Sequence, residues 1–148
     1  MTARTALHLA IAAALVAAGG AAAPKAEILG TWSGASVCVK SPDFPSCTDE
    51  VVVYEVRDLP DKPGSVLMQA DKIVNGERGN MGDLELTYAA ADGAWTCEIA
   101  TPHAHALWSF TVSATKMTGT LVELPSRKRI RDVSAEKTAH DSGSRRGA

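Results

Sequence analysis

The sequence predicts an all-β protein: an eight-stranded antiparallel up-and-down barrel, closed or flattened, with a two-sheet β-sandwich as the alternative. Three observations predict it. Beyond Pro24, apolar and polar residues alternate with period two, the signature of half-buried strands. Gly, Pro, Asn and Asp break that alternation at short, regular intervals, as turns between sequential neighbours require. No window beyond Pro24 sustains apolar residues at i, i+3, i+4 and i+7, so no amphipathic helix is expected there.

The N-terminal segment is of another kind. Met1–Arg4 carries one positive charge, Leu7–Ala18 is apolar, and Gly19–Ala23 is a run of small residues. This order is that of a secretory signal peptide. Residues 1–23 are therefore expected to be cleaved after Ala22 or Ala23, and the product exported to a periplasm or the exterior. The apolar run is too short to cross a hydrocarbon core of ~30 Å. No cysteine follows it to carry a lipid, and no second arginine stands beside Arg4, so no stable membrane anchor is expected. The remainder suffices for one domain, residues 24–136. Residues 137–148 are polar and rich in small side chains, and are expected to form a disordered tail. Lys and Arg number 15 and Asp and Glu 17, a formal net charge of −2. That balance supplies no basic face for nucleic acid.

The first strand is expected over Ile28–Lys40. The second, Asp49–Asp58, directs Val52, Tyr54 and Val56 to one side. LPDKPGS then forms a turn, and the third strand runs from Val66 to Val74. Val66, Met68 and Ala70 suit a core, but Lys72 follows on the same parity and belongs at a rim. NGERGNMG reads as a loop opened by Asn75-Gly76, a dipeptide that favours a tight hairpin. The fourth strand, Asp83–Ala90, places Leu84, Leu86 and Tyr88 on one face. The fifth, Ala94–Thr101, does the same with Trp95, Cys97 and Ile99. The sixth, Ala104–Ser113, does so with Trp108, Phe110 and Val112. Strands at Lys116–Leu124 and Lys128–Glu136 complete the set. Tyr54, Met68, Leu84, Leu86, Tyr88, Trp95, Cys97, Trp108 and Phe110 are thus the expected interior lining.

Three cysteines in an exported chain invite one bridge and leave one thiol over. Cys38 and Cys47 flank VKSPDFPS, which must turn back to deliver the second strand beside the first. That brings their Cα atoms within the ~4.4–6.8 Å a disulfide needs, so Cys38–Cys47 is the expected bridge. Cys97, between Trp95 and Ile99, is expected to be a buried thiol rather than a nucleophile or a dimerising group.

Few constellations could carry chemistry. His103 and His105 would share a strand face, a way to begin a metal site, but no third ligand is identifiable, so they read as rim histidines and no metal or other cofactor is expected. Asp49 and Glu50 are adjacent in a strand and face opposite ways, which argues against an acid–base pair. Arg127, Lys128, Arg129 and Arg131 form a basic cluster, read as an exposed turn and last strand. No nucleophile elbow, phosphate-binding glycine loop or Cys-x-x-Cys is present.

Gly30-Thr31-Trp32, at the start of the first strand, resembles the Gly-x-Trp signature of the lipocalins and the wider calycin superfamily. The resemblance implies an eight-stranded barrel whose closed end is plugged by Trp32. It also implies a late-strand arginine packed across the indole, for which Arg129 and Arg131 are the candidates. Gly30 and Gly34 share the parity of Trp32, which would leave the indole room to lie flat. The expectation is therefore a monomeric, non-enzymatic binding protein. Its partner would be a small apolar ligand held in the barrel, or a protein engaged through the loops as an inhibitor module is; a small enzyme is the third reading.

Overall fold

The structure is a computed structural model and describes residues 22–138. The expected signal peptide and tail lie outside the described residues except at their inner ends. The chain forms α1 (Ala22–Ile28), β1 (Gly30–Cys38), β2 (Glu50–Asp58), β3 (Ser65–Val74), β4 (Glu77–Ala89), β5 (Ala94–Thr101), β6 (Ala104–Ser113), β7 (Lys116–Glu123) and β8 (Arg129–Lys137). The eight strands pair antiparallel in chain order, and β8 returns to β1 to close the barrel. This is the closed eight-stranded up-and-down barrel of the sequence prediction, and the sandwich alternative is set aside.

Local chemistry accounts for the departures from expectation. The segment expected to be loop after Asn75-Gly76 is strand from Glu77 onward. Asn75 and Gly76 both take positive φ, 53° and 81°, which makes the two-residue hairpin that pairs β3 with β4 immediately. A bulge then leaves Met81 without a partner between Asn80 and Gly82, opposite Asp71 and Ala70. The polar run 77–82 gives no clean alternation because both of its faces lie near the barrel's rim. At the other extreme, α1 was not expected. It is a short helix docked by Ile28, which is fully buried, and by Lys25, whose Nζ lies 2.6 Å from Asp58 Oδ1. The expected tail also starts too early: Lys137 belongs to β8, and the Thr138 amide donates to Thr31 O.

The closed end is built around Trp32. Its ring is fully buried, and its Nε1 donates to the Ile28 carbonyl at 2.8 Å, satisfying an end of α1. The cation over the indole is Lys137, with Nζ 4.9 Å from the ring centroid. Neither Arg129 nor Arg131 takes that place. Register is the reason: antiparallel pairing of β1 with β8 sets Trp32 opposite Lys137, whereas Arg131 pairs with Cys38 at the far end. Such a contact contributes about 0.5–2 kcal/mol, and Lys137 Nζ also donates to Glu27 O at 2.7 Å, binding helix to barrel. The glycines act otherwise than expected. A Cβ on Gly34 would meet Ser134 O at 2.0 Å, so this glycine admits the β8 backbone rather than the indole. Gly30 has φ of 125°, a conformation that side chains resist.

Above the plug, Val52, Val56, Val66, Met68, Leu86, Trp95, Phe110 and Met117 fill the lower barrel and are all buried. The expected lining is mostly found there, with Tyr54 also buried, while Leu84, Tyr88, Cys97 and Trp108 are only partly buried against the core.

Candidate functional site

The barrel is full at one end and hollow at the other. In the open half lies a cavity of about 230 Å³. Its walls are the inward side chains of five strands: Tyr54 of β2, Leu84 of β4, Ile99 of β5, Trp108 and Phe110 of β6, and Leu121 of β7. Period-two alternation puts them there, since each shares parity with the core residues of its own strand. The aromatic floor is ordered by stacking. Trp108 lies parallel to Phe110 with centroids 5.4 Å apart, and Tyr54 meets Phe110 edge-on at 6.0 Å. Gly119, opposite Phe110 on β7, leaves space for that ring: a Cβ there would touch Phe110 Cδ1 at 2.6 Å.

One side of the cavity is polar. Arg131 points inward from β8, on the parity of Val133 and Ala135. Its Nη1 donates to Ser36 Oγ at 2.7 Å and to Glu50 Oε2 at 3.2 Å, and its Nη2 donates to the Thr48 carbonyl. The Cys38–Cys47 bridge, with Cα atoms 6.0 Å apart, holds the loop that presents Thr48. Asp49 Oδ1 accepts from the Cys38 amide at 2.8 Å and tightens the same turn. The guanidinium and carboxylate are 12% and 20% exposed, so one neutralised ion pair borders an apolar chamber. Burial pushes the Tyr54 hydroxyl far above its usual range; Glu50 adds to the rise, and Arg131 and Ser36 partly offset it. Tyr54 is therefore a neutral hydrogen-bonding group at any ordinary pH.

The wall has a gap. Every other neighbouring pair of strands is joined over seven to ten residue pairs. β4 and β5 are joined over three: Thr87–Thr96, Tyr88–Trp95 and Ala89–Ala94. Toward the open end they diverge. The cavity meets four consecutive residues of β4 there, Met81, Gly82, Asp83 and Leu84. Consecutive residues alternate in facing, so the strand's edge itself borders the chamber. Met81, 41% exposed, stands at the lip.

The remaining expected features lie apart. His105 pairs with Glu98 on the outer surface and His103 sits in the β5–β6 turn. Among the described residues no group of three or more His, Cys, Asp or Glu could hold a metal. Cys97 is half-buried rather than buried, and burial pushes its thiol up, with Glu85 adding to the rise. It is thus held as thiol, the less nucleophilic form. Arg129 is exposed and pairs with Asp132. Among the described residues no helix is long and apolar enough to cross a membrane. The Arg131–Glu50 pair escaped the sequence reading. The available signal was parity, since Glu50 precedes Val52, Tyr54 and Val56, and Arg131 precedes Val133 and Ala135, at even spacing.

No protein-family model matches the chain, and no curated protein matches it. Among solved structures, the chain is similar to the siderocalin Ex-FABP, a protein described as functioning through dual ligand specificities. The two share 8% identity at a TM-score of 0.49, over 76% of this chain and 74% of that one.

Proposed function

We propose that this chain is an exported, non-enzymatic binding protein that acts as a monomer and receives one compact apolar group in its open half. The observation that carries the reading is the chamber of about 230 Å³, walled by Tyr54, Leu84, Ile99, Trp108, Phe110 and Leu121 and bordered by one neutralised ion pair. Its volume lies below the ~300–1,000 Å³ of sites that engulf whole drug-sized ligands. The occupant is therefore small, or is one projecting part of something larger. The paired Arg131 and Glu50 favour an uncharged polar group beside the apolar one, because a second buried charge would find its counter-charge already engaged. Export rests on the charged, apolar and small order of residues 1–23 together with the Cys38–Cys47 bridge, which persists in oxidising compartments.

The test uses hexan-1-ol as the probe, with 1H–15N spectra of the chain. Saturable shifts at Leu84, Ile99, Trp108 and Leu121 are expected, and a Leu84→Trp variant that fills the chamber should abolish them while keeping a folded spectrum. Shifts that never saturate, or that fall on the outer surface, would refute the reading. N-terminal sequencing of the protein recovered from its native host checks export, with a chain beginning at Met1 as the contrary result.

A further inference from the structure

We infer that the natural occupant of the chamber is a side chain of an extended peptide, which adds as a strand to the free edge of β4 in the gap beside β5. The inference rests on the proposed reading of the chamber and names the class of its ligand.

Backbone accounting leads there first. From Glu77 to Leu86, β4 is hydrogen-bonded to β3 on one side and has no ladder partner on the other among the described residues. The same holds for the β4-facing edge of β5 from Cys97 to Thr101, which pairs only with β6. Closure of a barrel normally removes such edges; among the described residues it fails at the seam between β4 and β5. Below the seam, Tyr88 and Trp95 pack at 5.1 Å and fix where the divergence begins. At ~3.3 Å per residue, the free stretch of β5 spans about 16 Å, the length of a five-residue strand.

Size and charge then select the occupant. A strand laid along β4 sends alternate side chains into the chamber and outward. The inward one meets Leu84, Ile99 and Trp108, in a volume suited to a single large apolar side chain. The outward neighbours meet exposed carboxylates on both lips: Asp83 and Glu85 from β4, and Glu98 from β5. Lys62 offsets Glu85, and His105, a cation only when protonated, pairs with Glu98, so the lips together stay net negative. The pattern that fits is an apolar anchor flanked by basic residues, a peptide of alternating character.

The experiment compares three probes on the full chain: an acetylated, amidated pentapeptide alternating lysine and phenylalanine, the same peptide with N-methylated backbone amides, and hexan-1-ol. The expected result is saturable binding of the first, with amides of Met81–Glu85 protected from hydrogen exchange, and loss of at least tenfold in affinity on N-methylation. Glu98→Lys, an exposed change outside the chamber's walls, should weaken the peptide about three- to tenfold and leave hexanol unaffected. Hexanol binding without peptide binding would overturn the inference and leave the chamber reading standing. Equal affinity for the N-methylated peptide, or protection elsewhere on the barrel, would overturn it as well. Failure of both hexanol and peptide would remove the chamber reading on which it rests.

Discussion

Replacing Arg131 with methionine tests what holds the open end in shape. The native guanidinium satisfies Ser36 Oγ, Glu50 Oε2 and the Thr48 carbonyl from one position. Removing one member of a buried pair costs roughly 3–5 kcal/mol, chiefly because the partner's charge is stranded. Glu50 keeps 20% of its exposure at the mouth and can recruit water, which lowers the figure. Ser36, 2% exposed, has no such outlet and loses its acceptor role at the lower end of the ~1–3 kcal/mol cost of an unsatisfied group. A loss of about 2–3 kcal/mol is expected. Adding Glu50→Met should return at least half of it, because the stranded charge is then gone. Urea unfolding at neutral pH, followed by tryptophan fluorescence with the disulfide intact, measures both variants, and an unchanged slope licenses the comparison. A single variant within about 0.5 kcal/mol of the parent would refute the reasoning. So would a double variant no more stable than the single.

Three further outcomes follow from the same geometry. Gly34→Ala places a methyl 2.0 Å from Ser134 O and 2.6 Å from Ala135 Cα, so β1 and β8 must separate; a cost beyond the usual ~1–3 kcal/mol of overpacking is expected, and a thermal midpoint equal to the parent's would be the contrary result. Reducing the Cys38–Cys47 bridge, whose sequence separation is 9, should cost about 2.7 kcal/mol from loop entropy, read as a shift of the urea midpoint with and without reductant. Tyr54 has a raised folded-state pKa, so unfolding releases its proton first: stability should be level below pH ~10 and fall above it by about 1.4 kcal/mol per pH unit for this group, and Tyr54→Phe should remove that share of the slope.

How far the sequence could be read depends on the range of the interaction. The eight strands were legible because alternation and turn residues are local. β5 and β6 begin and end where the alternation does, at Ala94–Thr101 and Ala104–Ser113. β4 was cut short because its first six residues lie at the rim, where neither face is dry and the period vanishes. The bridge was legible for the same reason as the strands, since a nine-residue separation leaves the turn little choice. The Arg131–Glu50 pair spans 81 positions and the Arg131–Ser36 pair 95, distances at which no local pattern operates. The seam between β4 and β5 was illegible on other grounds: both strands read as good strands, and nothing in either records where their pairing stops.

The position of the cation over Trp32 was, by contrast, within reach. In an up-and-down barrel with an even number of strands, the first and last run antiparallel wherever the barrel closes. A residue near the start of β1 must then face one near the end of β8, which excludes the first residues of that strand. Parity narrows the rest. With Val133 and Ala135 inward, Arg131 and Lys137 are inward too, and only Lys137 stands at the Trp32 end. β8 therefore carries one inward cation at each end, with small apolar residues between them. Lys137 spends its charge on the indole and on the Glu27 carbonyl, and so seals the helix over the closed end. Arg131 spends its own on Ser36, Thr48 and Glu50, and so braces the mouth without filling it. The two cations sit in the same register frame, and exchanging their roles would require shifting β8 by six residues, past the close approach of Gly34 and Ala135 that fixes the seam.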